Sequence, residues 1–209
     1  MLMNRRLRPK FKFDRRVGES LWGVSRSSVN RVPTAPGQHG YKTRSSVSEY
    51  AIRLTAKQKL KFYYSNLTES KLVKAYKTAL KYRGDVAHNL VRVLERRLDV
   101  LVYRARLAAS FRAARQLISH GHVLVNNSKV DICSFECKPG DVFRVAPCFV
   151  NAAVVKEAVL GCERSVPNHI SCDFKHLKFT LVKPPAACGA LFPVAMCPEL
   201  VAEYYSGVR

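Results

Sequence analysis

Apolar positions recur along this chain with two different periods, and the change of period divides it. From Ser48 to Tyr64 the spacing predicts a helix. Tyr50, Ala51, Leu54, Gln58 and residues 61–63 share one face, while Arg53, Lys57 and Lys59 point elsewhere. A second helix is expected after Thr68, a suitable N-cap, and before Gly84, a suitable terminator. Its apolar stripe is Leu72, Tyr76, Ala79 and Leu80, with Lys71, Lys74, Lys77, Lys81 and Arg83 on or near the wet side. Asp85 then caps a third helix, whose Leu90, Leu94, Leu98 and Leu101 recur every three or four residues. A short fourth helix begins around Ser110 and ends near His120-Gly121.

Beyond Gly121 the period falls to two. Val123 and Val125, then Val130 and Ile132, alternate with polar residues on either side of Asn126-Asn127-Ser128. This predicts two strands and a tight turn, because Asn tolerates positive φ better than most residues. Lys138-Pro139-Gly140-Asp141 makes another turn, and Val142 to Val145 a further strand. Residues 97–146 therefore read as a compact α-then-β unit. Farther on, Asn151 to Leu160 has helical spacing, Leu177 to Val182 alternates like a strand until Pro184-Pro185, and Pro198 opens a last short helix through Tyr205. Residues 1–47, rich in Gly, Pro, Ser and Arg with poor periodicity, read as an extended arm. Within it Ala35 to Gly40 (APGQHG) is a loop signal, although Phe11, Phe13, Asp14 and Trp22 look like part of a fold.

Charge changes the picture. The 209 residues carry 36 Lys and Arg against 15 Asp and Glu, a formal charge of +21. A single-sign charge of that size repels itself in a compact state, so a polyanionic partner is expected. Residues 1–44 carry +9, residues 45–147 carry +11, and residues 148–209 only +1. The polyanion is expected on the first two thirds, with the last third packing on the body or touching a protein. Arg97, Arg104, Arg106, Arg112 and Arg115 cluster over two short helices, and arginine's planar fork suits phosphate. Few acidic residues are at hand to turn this into a salt-bridged surface.

Catalytic patterns are absent: no GxxxxGK[ST], GxGxxG, HExxH or GxSxG occurs. His120 and His122 stand two apart with no third ligand close in sequence, so one imidazole facing the polyanion is the simpler expectation. The seven cysteines are odd in number and follow no tight pairing, which predicts reduced thiols and no structural zinc site. No apolar run is long enough for a membrane span, and the basic start lacks a secretory apolar core.

The stretch RLDVLVYR…S…AARQLISHGHVLVN…KVDI…CKPGDV resembles the S-four RNA-binding domain. Together with FDRRVGESLWG, PTAPGQHG, LTAKQKLKFYY and FPVAMCPELVAEYYS, the chain resembles the bacterial-type ribosomal protein S-four family of the small subunit, in alphaproteobacterial or mitochondrial-like form. The resemblance implies an α+β fold. Its helical domain would span 48–96 and be completed by 150–209, after a basic arm at 1–47, with the S-four domain inserted at 97–149. It implies a structural constituent of the small ribosomal subunit, not an enzyme, that binds small-subunit ribosomal RNA directly and nucleates assembly of the subunit body. Further implied partners are ribosomal protein five, with which translational accuracy is influenced, and other small-subunit proteins, but no membrane and no cofactor. The expected location is a cytoplasmic ribosome, with a mitochondrial ribosome as the alternative.

RNA contacts carried over by motif, joined by the clustered arginines, are Arg15, Arg16, Gln38, His39 and Arg44 in the arm. Arg53, Lys57 and Lys59 follow on the first helix. Arg97, Arg104, Arg106, Arg112, Arg115, His120 and Lys129 complete the set. The family usually places Arg straight after the serine of the fourth helix. Here Phe111 stands there and Arg112 follows, shifting the charge by about 100°. Some relatives carry an N-terminal zinc cluster, and this arm has no cysteine. An RNA-modifying enzyme built on an S-four domain would need a further catalytic domain. An assembly factor that only visits ribosomes is the other alternative.

Overall fold

The computed structural model describes residues 11–41, 47–150, 152–161, 164–174, 176–185 and 192–207. The chain forms two compact units. One comprises Met1–Thr68 and Phe192–Arg209, the other Glu69–Leu191.

The first unit is helical. Helices α1 (Lys12–Val17), α2 (Glu49–Tyr63) and α8 (Pro198–Ser206) pack around aromatic side chains. Phe13 stacks on Phe62 at 4.1 Å, and Trp22 Nε1 donates to the Tyr63 carbonyl at 3.1 Å. Asp14 is fully buried and accepts the Ser27 hydroxyl at 2.8 Å. Over residues 11–41 the expected extended arm is therefore a folded segment, because Phe13, Leu21 and Ser27 are buried. Residues 1–10 and 42–46 of that arm lie outside the described residues. Ser48 caps α2 as its sequence suggests, its side chain accepting from the Ala51 N–H. The face of α2 differs from expectation: Tyr50 is 58% exposed, while Lys57, Leu60 and Tyr63 are buried.

In the second unit α3 (Glu69–Ala79) packs on α4 (Val86–Glu95). Helix α3 buries Leu72, Ala75, Tyr76 and Ala79 but stops earlier than expected, leaving Leu80 exposed. The turn that follows is tied back by Asn89, whose amide donates to the carbonyls of Tyr82 and Arg83 at 3.3 Å. Asp85 caps α4 through the N–H groups of Ala87 and His88.

The leucine period predicts one helix running past Leu101, yet the chain breaks between α4 and α5 (Leu98–Arg104). The cause is a competing backbone. Leu98 N–H donates to Phe135 O at 2.8 Å, Cys137 N–H to Arg96 O at 3.0 Å, and Arg97 faces Glu136 in an isolated bridge. At this break two carboxylates are buried and matched by arginines. Arg104 Nε and Nη2 reach Glu95 Oε2 and Oε1 at 3.1 and 2.8 Å. Arg97 Nε and Nη2 reach Asp99 Oδ1 and Oδ2 at 3.0 and 2.9 Å, and Arg115 Nε shares Asp99 Oδ2 at 2.9 Å. Glu95 and Asp99 are at most 1% exposed, so each must be neutralised inside the protein.

Helix α6 (Phe111–Ser119) follows, capped by Ser110 as expected, and packs on α5. The sheet has the order β2-β1-β3-β5-β4 among the described residues and is antiparallel throughout. Its strands are β1 (Val123–Val125), β2 (Ser128–Lys129), β3 (Val142–Val145), β4 (Ile170–Asp173) and β5 (Lys178–Leu181). Asn126 and Asn127 have φ of 48° and 69°, the pair of positive values that a type I′ turn needs. The second expected strand shrinks to Ser128–Lys129, and Ile132 is exposed. Strands β4 and β5 complete the sheet from the nearly neutral third, adding Phe179 and Leu181 to the core beside Phe143. Helix α7 (Ala153–Leu160) lies close to its expected span.

Glu95→Gln keeps the shape but leaves the Arg104 charge uncompensated, so urea unfolding of the full chain is expected to show a loss of roughly 3–5 kcal/mol. A loss below about 1 kcal/mol, the scale of a surface pair, would mean that this pair does not hold the α4–α5 break.

Candidate nucleic-acid interface

The fold sorts the expected contact residues into three groups by what already holds them. The first group is exposed. Arg16 lies on α1, Gln38 and His39 lie in the loop after Gly37, Arg112 lies in the first turn of α6, and His120 and Lys129 lie at the turn into the sheet. Two glycines set these positions. A Cβ on Gly40 would stand 1.9 Å from the Ala35 carbonyl oxygen, so the Gln38–His39 loop closes only with glycine there. A Cβ on Gly121, which has φ of +73°, would stand 1.9 Å from Lys129 Cε. The Lys129 stem thus crosses that glycine, and its cation comes up beside the end of α6. His122 stacks on Phe149 at 3.9 Å, leaving His120 as the exposed imidazole of the two.

The second group is pinned at partly covered positions. Arg15 Nε donates to Thr34 O at 3.0 Å. Arg53 bridges Glu49 and Glu203 at 3.1 Å each, and Lys59 closes on Glu19. Arg115 sits on Asp99. Arg106 is half-buried in the left-handed conformation (φ 63°) at the end of α5, with its Nε covered.

The third group is inside. Arg97 and Arg104 are each 7% exposed and held by Asp99 and Glu95. Lys57 is 5% exposed, with Nζ 4.2 Å from the Tyr204 ring centre. Lys57 therefore lies in the helix interface rather than on the wet side, because α8 brings an aromatic face that takes a cation. Arg44 lies outside the described residues.

Phe111 finds its reason in packing. It is 2% exposed and stacks on Tyr103 at 3.9 Å. Arg164 also lies over Tyr103, 3.8 Å from the ring centre, and donates to Ala108 O at 2.8 Å. A charge from the nearly neutral third is thus delivered close to the start of α6, and nothing in the local pattern around Arg164 announces it.

The described residues hold no group of three His, Cys, Asp or Glu that could bind a metal ion. Burial pushes the Cys137 thiol up to about 12 and the Cys172 thiol to about 11. Both are protonated at neutral pH and poor nucleophiles. Cys162 and Cys188 lie outside the described residues. No described helix is long and apolar enough to cross a membrane.

Short helices packed on a small antiparallel sheet, with basic residues at the helix starts and turns, define an RNA-binding module of the S4 class. The sequence comparisons agree. Residues 96–143 match the S4 domain family, and residues 5–95 match the ribosomal protein S4/S9 N-terminal domain family. The chain is 45% identical over 204 residues to small ribosomal subunit protein uS4 of Caulobacter vibrioides, covering 98% of this chain and all of that protein. It is 44% identical to the proteins of the same name from Bartonella tribocorum and Cereibacter sphaeroides, again over 98% of this chain and 99% or more of theirs. This chain belongs to the ribosomal protein S4 family.

Lys57→Ala removes the cation between α2 and α8. It is expected to lower stability by about 2 kcal/mol, the scale of a desolvated cation–π contact, and to speed amide exchange in α8. Unchanged exchange in α8 would mean that Lys57 does not secure that helix.

Proposed function

We propose that this protein is a structural, non-catalytic constituent of the small ribosomal subunit that binds its ribosomal RNA directly. The observation that carries this reading is the charge left over after the internal pairs are made. The last third balances its cations with acids, so the surplus belongs to the front two thirds of the chain, which holds +20 of the formal +21. A-form RNA hides base edges in a deep groove, so a protein grips it by shape and by phosphate. Rigid cations at helix starts and turns suit that task.

In this reading Arg16, Gln38, His39, Arg112, His120 and Lys129 make direct contacts, joined by Arg44 from the arm. Arg15, Arg53, Lys59, Arg106 and Arg115 offer the edges that their own partners leave open. Arg97, Arg104 and Lys57 hold the frame on which the others stand. Early binding that nucleates the subunit body follows from the rigid scaffold. The nearly neutral final third suits a protein neighbour, and ribosomal protein five, with a bearing on accuracy, is the partner we assign to it. The location is the ribosome of a bacterial cytoplasm, with a mitochondrial ribosome as the alternative.

Sedimentation tests the reading. One copy of the chain is expected to stay with each small subunit after a high-salt wash, and Arg16→Ala/Arg112→Ala/Lys129→Ala is expected to be under-represented there although it folds. Complete stripping of the unmodified chain by the wash would make it a visiting factor rather than a constituent.

A further inference from the structure

We propose that the turn between α3 and α4, centred on Tyr82, holds one unpaired nucleotide of the RNA, with its base on the tyrosine ring and its phosphate on Arg92 and Arg96. This rests on the RNA-binding reading above and adds a site to it. None of Lys81, Tyr82, Arg83, Arg92 or Arg96 belongs to the contact set read from the sequence.

The turn is fixed by the protein itself. Tyr82 N–H donates to Ala79 O at 3.2 Å, and the Asn89 amide holds the Tyr82 and Arg83 carbonyls at 3.3 Å each. Two arginines from the far end of α4 then converge on the tyrosine. The Arg92 guanidinium lies over its ring, 5.6 Å from the centre, and Arg96 Nη1 donates to its hydroxyl at 3.4 Å. Arg96 is held from a second side, its Nε donating to Cys137 O at 3.1 Å. Tyr82 is nevertheless 38% exposed.

No carboxylate closes on this group. Arg92 and Arg96 stand four residues apart on one helix, where like charges repel. Neither of them makes an ion pair among the described residues, and nor do the exposed Lys81 and Arg83 that flank Tyr82. The acids close by are engaged elsewhere or stand off. Asp85 caps the N–H groups of Ala87 and His88 and pairs with the His88 imidazole. Asp141 accepts from Lys138 N–H and the Asn126 amide. Glu136, next to Cys137, makes no ion pair with Arg96. The carbonyl end of α4 stabilises both arginines. It leaves Arg92 without a hydrogen-bond partner and the Arg96 Nη2 N–H groups unused, again among the described residues.

An exposed ring with guanidinium groups at its face and rim is the combination that takes an unpaired nucleotide. The base stacks on the ring whatever its identity, and the planar forks hold the phosphate. An acidic protein segment is the competing partner for these charges, and the test separates the two.

Full-length variants are titrated with folded small-subunit RNA across a range of salt. Arg92→Gln is expected to flatten the plot of log K against log salt by about 0.7–0.9, the value of one lost phosphate contact, and Arg92→Lys to keep the slope. Tyr82→Leu is expected to lose about tenfold in affinity at every salt concentration with the slope kept, and Tyr82→Phe to lose far less. Lys156→Ala, an exposed cation on α7, is expected to change nothing. A slope lowered equally by Lys156→Ala would reduce the effect to diffuse charge and overturn the site, as would unchanged binding by both Arg92→Gln and Tyr82→Leu.

Ultraviolet crosslinking of small subunits that carry the unsubstituted chain needs no variant to fold. A nucleotide attached at Tyr82 supports the site, whereas attachment of another protein, or of nothing, overturns it. An unsubstituted chain that ignores the RNA would sink the functional reading and the site together, while failure of the variants alone leaves that reading standing.

Discussion

Two carboxylates buried at one break in the chain set the terms for the second unit. Glu95 ends α4 and Asp99 opens α5, and both are shut away from water. An isolated ionised carboxylate inside a protein is prohibitively costly, so each recruits arginine in a two-pronged geometry. Once Arg104 lies on Glu95, and Arg97 and Arg115 converge on Asp99, three helices are tied at fixed distances. Backbone bonds from residues 133–137 complete the joint. The start of α6 takes its place from it.

This joint also determines which cations remain for RNA. Arginines that look alike in the sequence divide into those that satisfy internal carboxylates and those that stay exposed. The division is economical for a protein of such high charge. Internal pairing makes the frame rigid, and rigidity is what an irregular phosphate surface rewards, because exposed side chains need little further ordering to meet it. The first unit repeats the pattern with different chemistry: Lys57 is spent on the Tyr204 ring and Lys59 on Glu19, while Arg16 and the Gln38–His39 loop face outward.

Local signals were legible in the sequence, and long-range ones were not. Ser48, Asp85 and Ser110 announce helix starts because a capping side chain bonds within three residues of itself. Asn126-Asn127 announces its turn because Asn tolerates the positive φ that both positions adopt. The break after Glu95 is invisible because the leucine period runs straight across it, and what interrupts it comes from residues 133–137. Strand β4 is four residues long and is specified by pairing with β5 rather than by its own alternation. In the candidate interface, residue type was legible and exposure was not. Arg115 meets Asp99 across 16 positions, and Lys57 meets Tyr204 from the far end of the chain.

Affinity of the full-length chain for folded small-subunit RNA, followed as salt rises, probes the central claim most directly. If the leftover cations are held against phosphates, roughly 6–10 contacts should make affinity fall by about 10³–10⁵ between ~50 and ~200 mM salt on the duplex-DNA scale, and somewhat less for irregular RNA. An affinity that stays flat across that range would contradict the account.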